Sequence, residues 1–389
     1  MITVSAIIFA VLAAVFMQSM NRGSHEMMID NMVRFHTGYV QIQDFRYQEE
    51  SSLDNAFLFT EDLREKLQHI EPRLEGVIPR IETYMLAGND HATRGAMVLG
   101  IDPDKEHLLN GIRNHVSQGR FFEADEQKAV ITEGLARRLE LQVGDYLLLL
   151  GQGRFGMSAN ALVEISGIVR HPIREMNLQT VFLPLQEAQF ILSAEEHVTA
   201  LLLLPERERH ATRIASVLNN KVQDDELIAY VWPELIPELL QLLEFDLVGA
   251  YFMSAVLYLV IGFGFFGTVL TMTLERLHEF GVLISVGMKR SKLAIILFLE
   301  TIFISVIGVI LGILCSYLLI LYFHINPIEL TGDIAEMIVE MGWEPYLPMS
   351  FAADQFYTQG FIVFIIAMIV FLFPMLKVMK LNVLEAMRY

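Results

Sequence analysis

Four long apolar stretches dominate the pattern of this sequence, and charged or mixed segments separate them. A helix of about 20 apolar residues crosses a bilayer core of roughly 30 Å. Four segments reach that length and contain no charged residue except Glu300, namely 1–20, 247–274, 293–323 and 355–376. We therefore predict an α-helical integral membrane protein with four transmembrane helices.

The first apolar stretch has two interpretations, an uncleaved membrane anchor and a cleaved signal peptide. A signal peptide begins with basic residues and ends at a cleavage site formed by small residues. Residues 1–20 carry no basic start, the apolar stretch is long, and no small-x-small site precedes Asn21. We favour the anchor.

Between the first two apolar stretches, residues 21–246 show strand-like and helix-like patterns in alternation. Apolar runs or alternation typical of strands occur at 39–43, 76–86, 95–101, 129–132, 146–150, 162–169, 181–183, 198–204 and 228–232. Helical spacing occurs after Thr60, a suitable N-cap, and at 133–139, 185–192 and 206–218. This interleaving predicts a large mixed α/β domain between the first two transmembrane helices.

Helical patterns also extend out of the first two apolar stretches and predict stalks. Residues 22–35 continue the first helix outward, and a pattern from Glu234 runs into the second apolar stretch. No Gly or Pro separates Glu238 from Val248. We expect a rigid helix there, able to carry motion between the outer domain and the membrane; a surface helix that merely precedes the span is the alternative.

The distribution of basic residues predicts which segments face the cytoplasm. The segment 275–292 and the tail 377–389 together hold seven basic residues and three acidic ones. The loop 324–354 holds six acidic residues and no Lys or Arg. We therefore place the segment 275–292 and the tail in the cytoplasm, and the domain 21–246 and the loop outside. Within that loop, an amphipathic helix is predicted from Thr331 to Met341, stopped by Gly342.

Composition and motifs argue against several classes of function. The chain of 389 residues is 53% hydrophobic, has a net charge of −18 and contains one cysteine, Cys315. The acidic balance argues against nucleic-acid binding, and one cysteine excludes a disulfide within the chain. No HExxH, P-loop or GxSxG motif occurs, and the histidines lack metal-ligand spacing. We therefore predict no catalytic site, no metal site and no enzymatic activity in this chain.

Three features inside the apolar stretches have competing interpretations. Gly262, Gly264 and Gly267 spell GxGxxG, but no strand precedes them, so a dinucleotide site is not predicted. Gly308 and Gly312 form GxxxG, which allows close helix packing, although glycine is common in membrane helices. A carboxylate in a span is costly and often functional. For Glu300 we favour ion pairing over a direct functional role.

The charged segment carries a family resemblance. Residues 275–290 read ERLHEFGVLISVGMKR, which resembles the signature of ABC-transporter permeases of the FtsX/MacB family. Ser285 stands where alanine is usual, and Glu300 matches an acidic position of the next helix. The final residues LNVLEAMRY resemble the family's closing stretch, with Asn382 in place of proline. The basic cytoplasmic leader that the family has before its first helix is missing from this sequence.

The outer domain adds short matches to the lipoprotein-releasing (LolC/LolE-like) branch of that family. They are GIDP at 100–103, GRFF at 119–122, ITEGLA at 131–136, LQVGD at 141–145, SGI at 166–168, and PL at 184–185 followed by AQ at 188–189. In this order and with this topology, the matches cover most of the chain.

The resemblance implies a permease subunit in the bacterial inner membrane, with its large domain in the periplasm. Its expected partners are two separate ABC ATPase subunits, which bind ATP and Mg, a second permease subunit, identical or homologous, and membrane lipid. Mechanotransmission would couple ATP hydrolysis to extraction of a lipoprotein or another amphiphilic cargo. Export of drugs or peptides of MacB type with a periplasmic adaptor is an alternative. FtsX-type signalling to cell-wall hydrolases is another, although the size of the domain 21–246 argues against it.

The same resemblance implies two groups of site residues. The ATPase-coupling residues would be Glu275, Arg276, Glu279, Phe280, Gly281, Val282, Gly287, Met288, Lys289 and Arg290. Among them, Phe280 and Val282 would be the buried anchors of the docking contact. A cargo cavity would involve Val15, Met17, Met20, Val248, Tyr251 and Phe252, for which ordinary lipid contact is the alternative.

Overall fold

The computed structural model describes residues 2–221, 226–340 and 345–379. They form two compact units. The helical unit contains the residues up to Met27, Gln241–Leu330 and the residues from Tyr346 onward. The α/β unit contains Met28–Leu240 and Thr331–Pro345.

Helices and strands alternate in the α/β unit, whereas long helices make up most of the helical unit. The helices are α1 Ile2–Met32, α2 Phe45–Glu49, α3 Glu61–Ile70, α4 Pro103–Asn110, α5 Glu133–Leu139, α6 Arg174–Asn177, α7 Leu185–Ile191, α8 Ala211–Lys221, α9 Trp232–Leu235, α10 Pro237–Glu275, α11 Leu277–Ser285, α12 Arg290–Ile325, α13 Asp333–Glu340 and α14 Ala353–Met379. The strands are β1 Val40–Asp44, β2 Phe57–Leu58, β3 Leu74–Gly88, β4 Thr93–Ile101, β5 Val116–Gly119, β6 Lys128–Thr132, β7 Tyr146–Gln152, β8 Ser158–Val169, β9 Thr180–Pro184, β10 His197–Val198, β11 Ala200–Pro205, β12 Leu227–Val231, β13 Ile328–Glu329 and β14 Tyr346–Leu347.

Four helices are long and apolar enough to cross a membrane, as the sequence predicts: α1 with the turn that follows it, α10, α12 and α14. Most of the α/β unit, Met28–Leu240, lies between the first two of them along the chain, so the predicted fold class is confirmed. Helix α1 continues past residue 20 to Met32, and a π-helical turn, Val33–Thr37, follows it. Helix α10 is a single helix of 39 residues.

Small residues bring α1 and α12 close together in the helical unit. A Cβ atom added to Gly308 would lie 2.7 Å from Cβ of Ile7, and one added to Gly312 would lie 2.8 Å from Cβ of Val11. Such distances are too short for any side chain, so the GxxxG motif is a packing surface. Of the two interpretations of this motif, the structure supports helix packing.

Polar contacts tie the ends of several helices together in the same unit. Arg22 on α1 donates two hydrogen bonds to the carboxylate of Asp354 on α14, at 2.9 and 2.7 Å. His25 contacts Asp246 of α10 at 2.6 Å. The Ser19 hydroxyl donates to the carbonyl oxygen of Ser350 at 2.6 Å.

The α/β unit is built on a ten-stranded sheet of order β12-β1-β11-β3-β4-β9-β6-β8-β5, in which β7 pairs with both β3 and β8. The pairs β4–β9 and β6–β8 are parallel, and the other pairs of this sheet are antiparallel. Alternate residues of β3 face opposite sides, as the period of a strand requires. Ile81, Met85 and Ala87 enter the main apolar core of this unit.

Two predicted helices differ from the structure at their starts. The pattern that begins at Glu234 is interrupted after α9, because Pro237 has no N–H to continue a helix and instead begins α10. In the loop after α12, the helix α13 begins at Asp333 rather than directly after Thr331. Gly332 lies between them with a φ of +69°, which is not helical. The predicted end of this helix at Met341 and Gly342 lies outside the described residues, as does the closing stretch LNVLEAMRY.

Candidate functional site

The segment that connects the second and third membrane helices contains a helix of its own. Helix α10 ends at Glu275, and the nine residues of α11 follow after Arg276. Gly287 has a φ of +105°, a conformation that favours glycine, and it turns the chain toward the start of α12. The segment 275–292, predicted as a charged loop, is therefore a helix bounded by two turns.

One side of α11 packs against the helical unit. Leu277, Ile284 and Met288 are partly buried against the apolar core of that unit, and Phe280 is a buried member of it with 5% of its surface exposed. The spacing of three to four residues puts Leu277, Phe280 and Ile284 on one face of the helix, and Met288 follows after the turn at Gly287. This corrects the role expected for Phe280, because its ring holds α11 to its own chain and does not project as a docking anchor.

The other side of α11 is exposed and mixed in character. Val282 and Leu283 are exposed, and Val286 is the most exposed of these apolar side chains, at 83%. The charged residues around them are also exposed: Glu275, Glu279, Lys289 and Arg290. Within the described residues, these four charges form no ion pair. An exposed apolar centre surrounded by unpaired charges has the anatomy of a protein interface.

The intramembrane carboxylate is joined to this segment. Arg276, at the start of α11, donates a hydrogen bond of 2.9 Å from Nη1 to Oε1 of Glu300 on α12. The side chains are 42% and 34% exposed. A paired carboxylate is far less costly in an apolar setting than an isolated one. Glu300 is therefore an ion-pair partner, and the pair connects α11 to the third membrane helix.

The residues expected to line a cargo cavity are not gathered on one surface of this chain. Val15 is fully buried in the core of the helical unit, and Met17 and Met20 are half-buried. Val248, Tyr251 and Phe252 are exposed on α10. A buried Val15 cannot line an open cavity in the chain described, because neighbouring helices already cover it.

The sequence analysis did not single out Val286, which is exposed in the segment 275–292. The family signature has no fixed residue at this position, so the resemblance implies no role for Val286. A signal was nevertheless present, because Val286 directly precedes Gly287 and three basic residues, Lys289, Arg290 and Lys292, follow. An apolar side chain before a glycine turn has few neighbours of its own chain to cover it.

Two family models match this chain. The model of the MacB-like periplasmic core domain matches residues 1–229, and that of the FtsX-like permease C-terminal region matches residues 251–383. The chain belongs to the FtsX/MacB family of ABC-transporter permeases. It is accordingly a multi-pass protein of the inner membrane, in which the α/β unit is the periplasmic domain. The comparison with curated proteins finds no match.

Solved structures resemble part of the chain. The extracellular domain of the noncanonic ABC-type transporter YknZ from Gram-positive bacteria is 12% identical with a TM-score of 0.35, over 49% of this chain and 98% of that one. The periplasmic region of MacB from Actinobacillus actinomycetemcomitans is 10% identical with a TM-score of 0.38, over 55% and 98%. At these identities and scores, neither likeness bears on the function of this permease.

Proposed function

We propose that this permease subunit docks separate cytoplasmic ATPase subunits through α11 and couples their ATP hydrolysis to extraction of an amphiphilic, lipoprotein-like cargo. The observation that carries the proposal is the two-sided helix α11 between two membrane helices. Its inner side is fixed by Phe280 and by the Arg276–Glu300 pair. Its outer side presents Val282, Leu283 and Val286 among unpaired charges.

This geometry suits the transmission of force. A helix that is packed on one side moves together with the helices that it contacts. Displacement of α11 by a partner would therefore pull on α12 through the ion pair of Arg276 and Glu300, in which Nη1 lies 2.9 Å from Oε1. It would also pull on α10, which runs as one helix from Pro237 to Glu275. Such coupling is mechanotransmission, and ATP and Mg would be bound by the partner.

The exposure of α10 supports a second permease subunit or an amphiphile beside it. Only 11% of its most apolar stretch is buried within the chain, compared with 39%, 33% and 28% for the other three membrane helices. Val248, Tyr251 and Phe252 belong to this exposed surface. A second permease, identical or homologous, would cover part of it, and lipid or cargo would contact the rest.

A second candidate function is the export of drugs or peptides with a periplasmic adaptor. The match of residues 1–229 to the MacB-like core domain favours it. It uses the same ATPase docking and differs in the partner of the periplasmic domain. Transmembrane signalling to cell-wall hydrolases is less well supported, because this periplasmic domain is large.

Purification in mild detergent followed by mass spectrometry of the bound proteins tests the proposal. An ATPase together with acylated proteins would support extraction of lipoproteins. An ATPase with an adaptor would favour export, and an ATPase with cell-wall hydrolases would favour signalling. The absence of any ATPase would refute docking itself.

A further inference from the structure

A polar cavity of about 230 Å³ opens on one face of the ten-stranded sheet of the α/β unit. Gln41 and Gln43 of β1 and Tyr47 of α2 line its buried part. Glu82 of β3 lies beside them, and Tyr84, two residues further along the same strand, stands at the exposed rim. Because Gln48 and Ser51 on the rim are exposed as well, a ligand in solvent can reach the cavity.

Several polar groups that line this cavity form no hydrogen bond within the described residues. Gln41 and Gln43 are 4% and 7% exposed, and neither side-chain amide forms a hydrogen bond there. Oε1 of Glu82 and Nδ1 of His36 are also buried without a hydrogen-bond partner. A buried polar group without a partner costs free energy that a ligand recovers when it supplies the missing hydrogen bond.

The charges around the cavity exclude an anionic ligand. Arg80 forms a buried ion pair with Glu106 and also donates to the carbonyl oxygen of His36 at 2.5 Å. Its Nη1 lies 3.7 Å from Oε1 of Glu82. The guanidinium is therefore already committed, and the remaining carboxylate of Glu82 would repel a phosphate. Amides, a phenol and a carboxylate instead fit a neutral group with several hydroxyls, which both donates and accepts.

An exposed apolar strip continues from the rim of the cavity on the same face of the sheet. Tyr84 is followed on this face by Leu86, which lies opposite Leu150 of β7. Leu148 of β7 lies opposite Leu162 of β8. All five side chains are exposed. By strand spacing, the strip is about 16 Å long, which is enough for an acyl chain.

We propose that the cavity and this strip bind one amphiphile, with a neutral hydroxylated head group in the cavity and an alkyl chain along the strip. The contiguity of the two surfaces through Tyr84 is what favours a lipid over a small polar solute. This inference rests on the proposed function, since it names the chemical class of the cargo.

The test uses the full chain in lipid nanodiscs and a monoacylglycerol with a diazirine in its acyl chain. After irradiation, mass spectrometry locates the labelled peptides. We expect labels on β7 and β8. Leu162→Gln should lower this labelling about tenfold, because the alkyl chain loses its apolar contact with the exposed Leu162 side chain. Leu108→Gln is the matched control: Leu108 and Leu162 are both 64% exposed, and the change at Leu108 should have no effect.

The head-group site is tested separately. Gln43→Leu should lower the labelling about fivefold through lost hydrogen bonds, whereas a diazirine probe with a phosphate head should label the strip weakly in the unchanged chain. Equal labelling by the anionic probe, or equal effects of Leu162→Gln and Leu108→Gln, would overturn the inference. Competition by free glycerol as strong as that by monoacylglycerol would also overturn it, because the chain would then contribute nothing. ATPase co-purification, measured on the same variants, should be unchanged, so its loss would signal a failure of the proposed function instead.

Discussion

Alanine at Gly308 or Gly312 is expected to weaken the packing of α1 against α12. The new Cβ atom would meet Cβ of Ile7 at 2.7 Å or Cβ of Val11 at 2.8 Å. These neighbouring atoms are attached directly to the backbone, so no side-chain rotation relieves the clash and the helices must move apart. Overpacking of this kind costs about 1–3 kcal/mol.

The gain in helix propensity from Gly to Ala, about 1 kcal/mol in water, partly hides this cost. Gly264 and Gly267 provide the matched controls, because a Cβ atom there would meet nothing within 4 Å. Since all four changes alter propensity in the same way, the difference between the two pairs isolates the clash. We expect Gly308→Ala and Gly312→Ala to be less stable than the controls by about 1–3 kcal/mol each.

Unfolding of the purified chain by sodium dodecyl sulfate, followed by circular dichroism, measures these differences. Gly360→Ala should fall between the two groups, because its Cβ would meet the mobile Cδ1 end of Ile313 at 2.8 Å. Equal stability of Gly308→Ala, Gly312→Ala and both controls would refute the close contact between α1 and α12. The combination of Gly308→Ala and Gly312→Ala is expected to lower the free energy of unfolding by less than the sum of the two single effects, because one displacement of α1 relieves both clashes.

Three further predictions concern docking, coupling and pH. Val286→Glu should lower ATPase co-purification about tenfold, as loss of an apolar interface centre does, while Leu108→Glu, in the periplasmic domain, should leave it unchanged. Arg276→Ala and Glu300→Gln should each reduce ATPase-coupled transport. A double-mutant cycle on the free energy of unfolding should give an interaction energy of about 0.5–1 kcal/mol for this half-exposed pair. Additive effects of the two changes would refute the ion pair. Burial lowers the pKa of His171 to about 3. As pH falls below about 6.5, His171 therefore takes up a proton in the unfolded chain but not in the folded one. The free energy of unfolding of the α/β unit should drop by about 2 kcal/mol between pH 7.5 and 5 for this reason. Thermal unfolding at both pH values should show this drop, and His171→Gln should reduce it, leaving the contribution of His36, whose pKa burial also lowers.

Local patterns predicted most of the fold, because each element follows from its own residues. Thr60 accepts a hydrogen bond from the N–H of Leu63 as an N-cap should. Strand β1 occupies Val40–Asp44, one residue later than the alternation at 39–43 predicts. The four apolar helices follow from length and hydropathy alone.

The predictions that failed concern side chains whose burial depends on tertiary contacts. Phe280 matches the family signature, yet only the packing of α11 on the helical unit shows that its ring is buried. Val15 was expected beside Tyr251, but neighbouring helices bury Val15 while Tyr251 is exposed. The resemblance implies a coupling role for the segment 275–292, and it could not distinguish the inner face of α11 from the outer one.

The cavity in the α/β unit was also beyond sequence reasoning. Gln41 and Gln43 alternate with apolar residues in β1, which is typical of a strand with one solvent-exposed face. In the structure both are nine-tenths buried. The residues that line the cavity with them come from β3 and α2. Strand pairing that no local pattern specifies brings these elements together.

Photocrosslinking from position 286 in native membranes tests the central proposal most directly. A photoreactive amino acid replaces Val286 on the exposed side of α11, and Leu242 on α10, which is also exposed, serves as the control position. Docking through α11 predicts a covalent adduct with an ABC ATPase subunit from position 286 and none from position 242. Adducts with lipid alone at position 286, or ATPase adducts of equal yield at both positions, would contradict it.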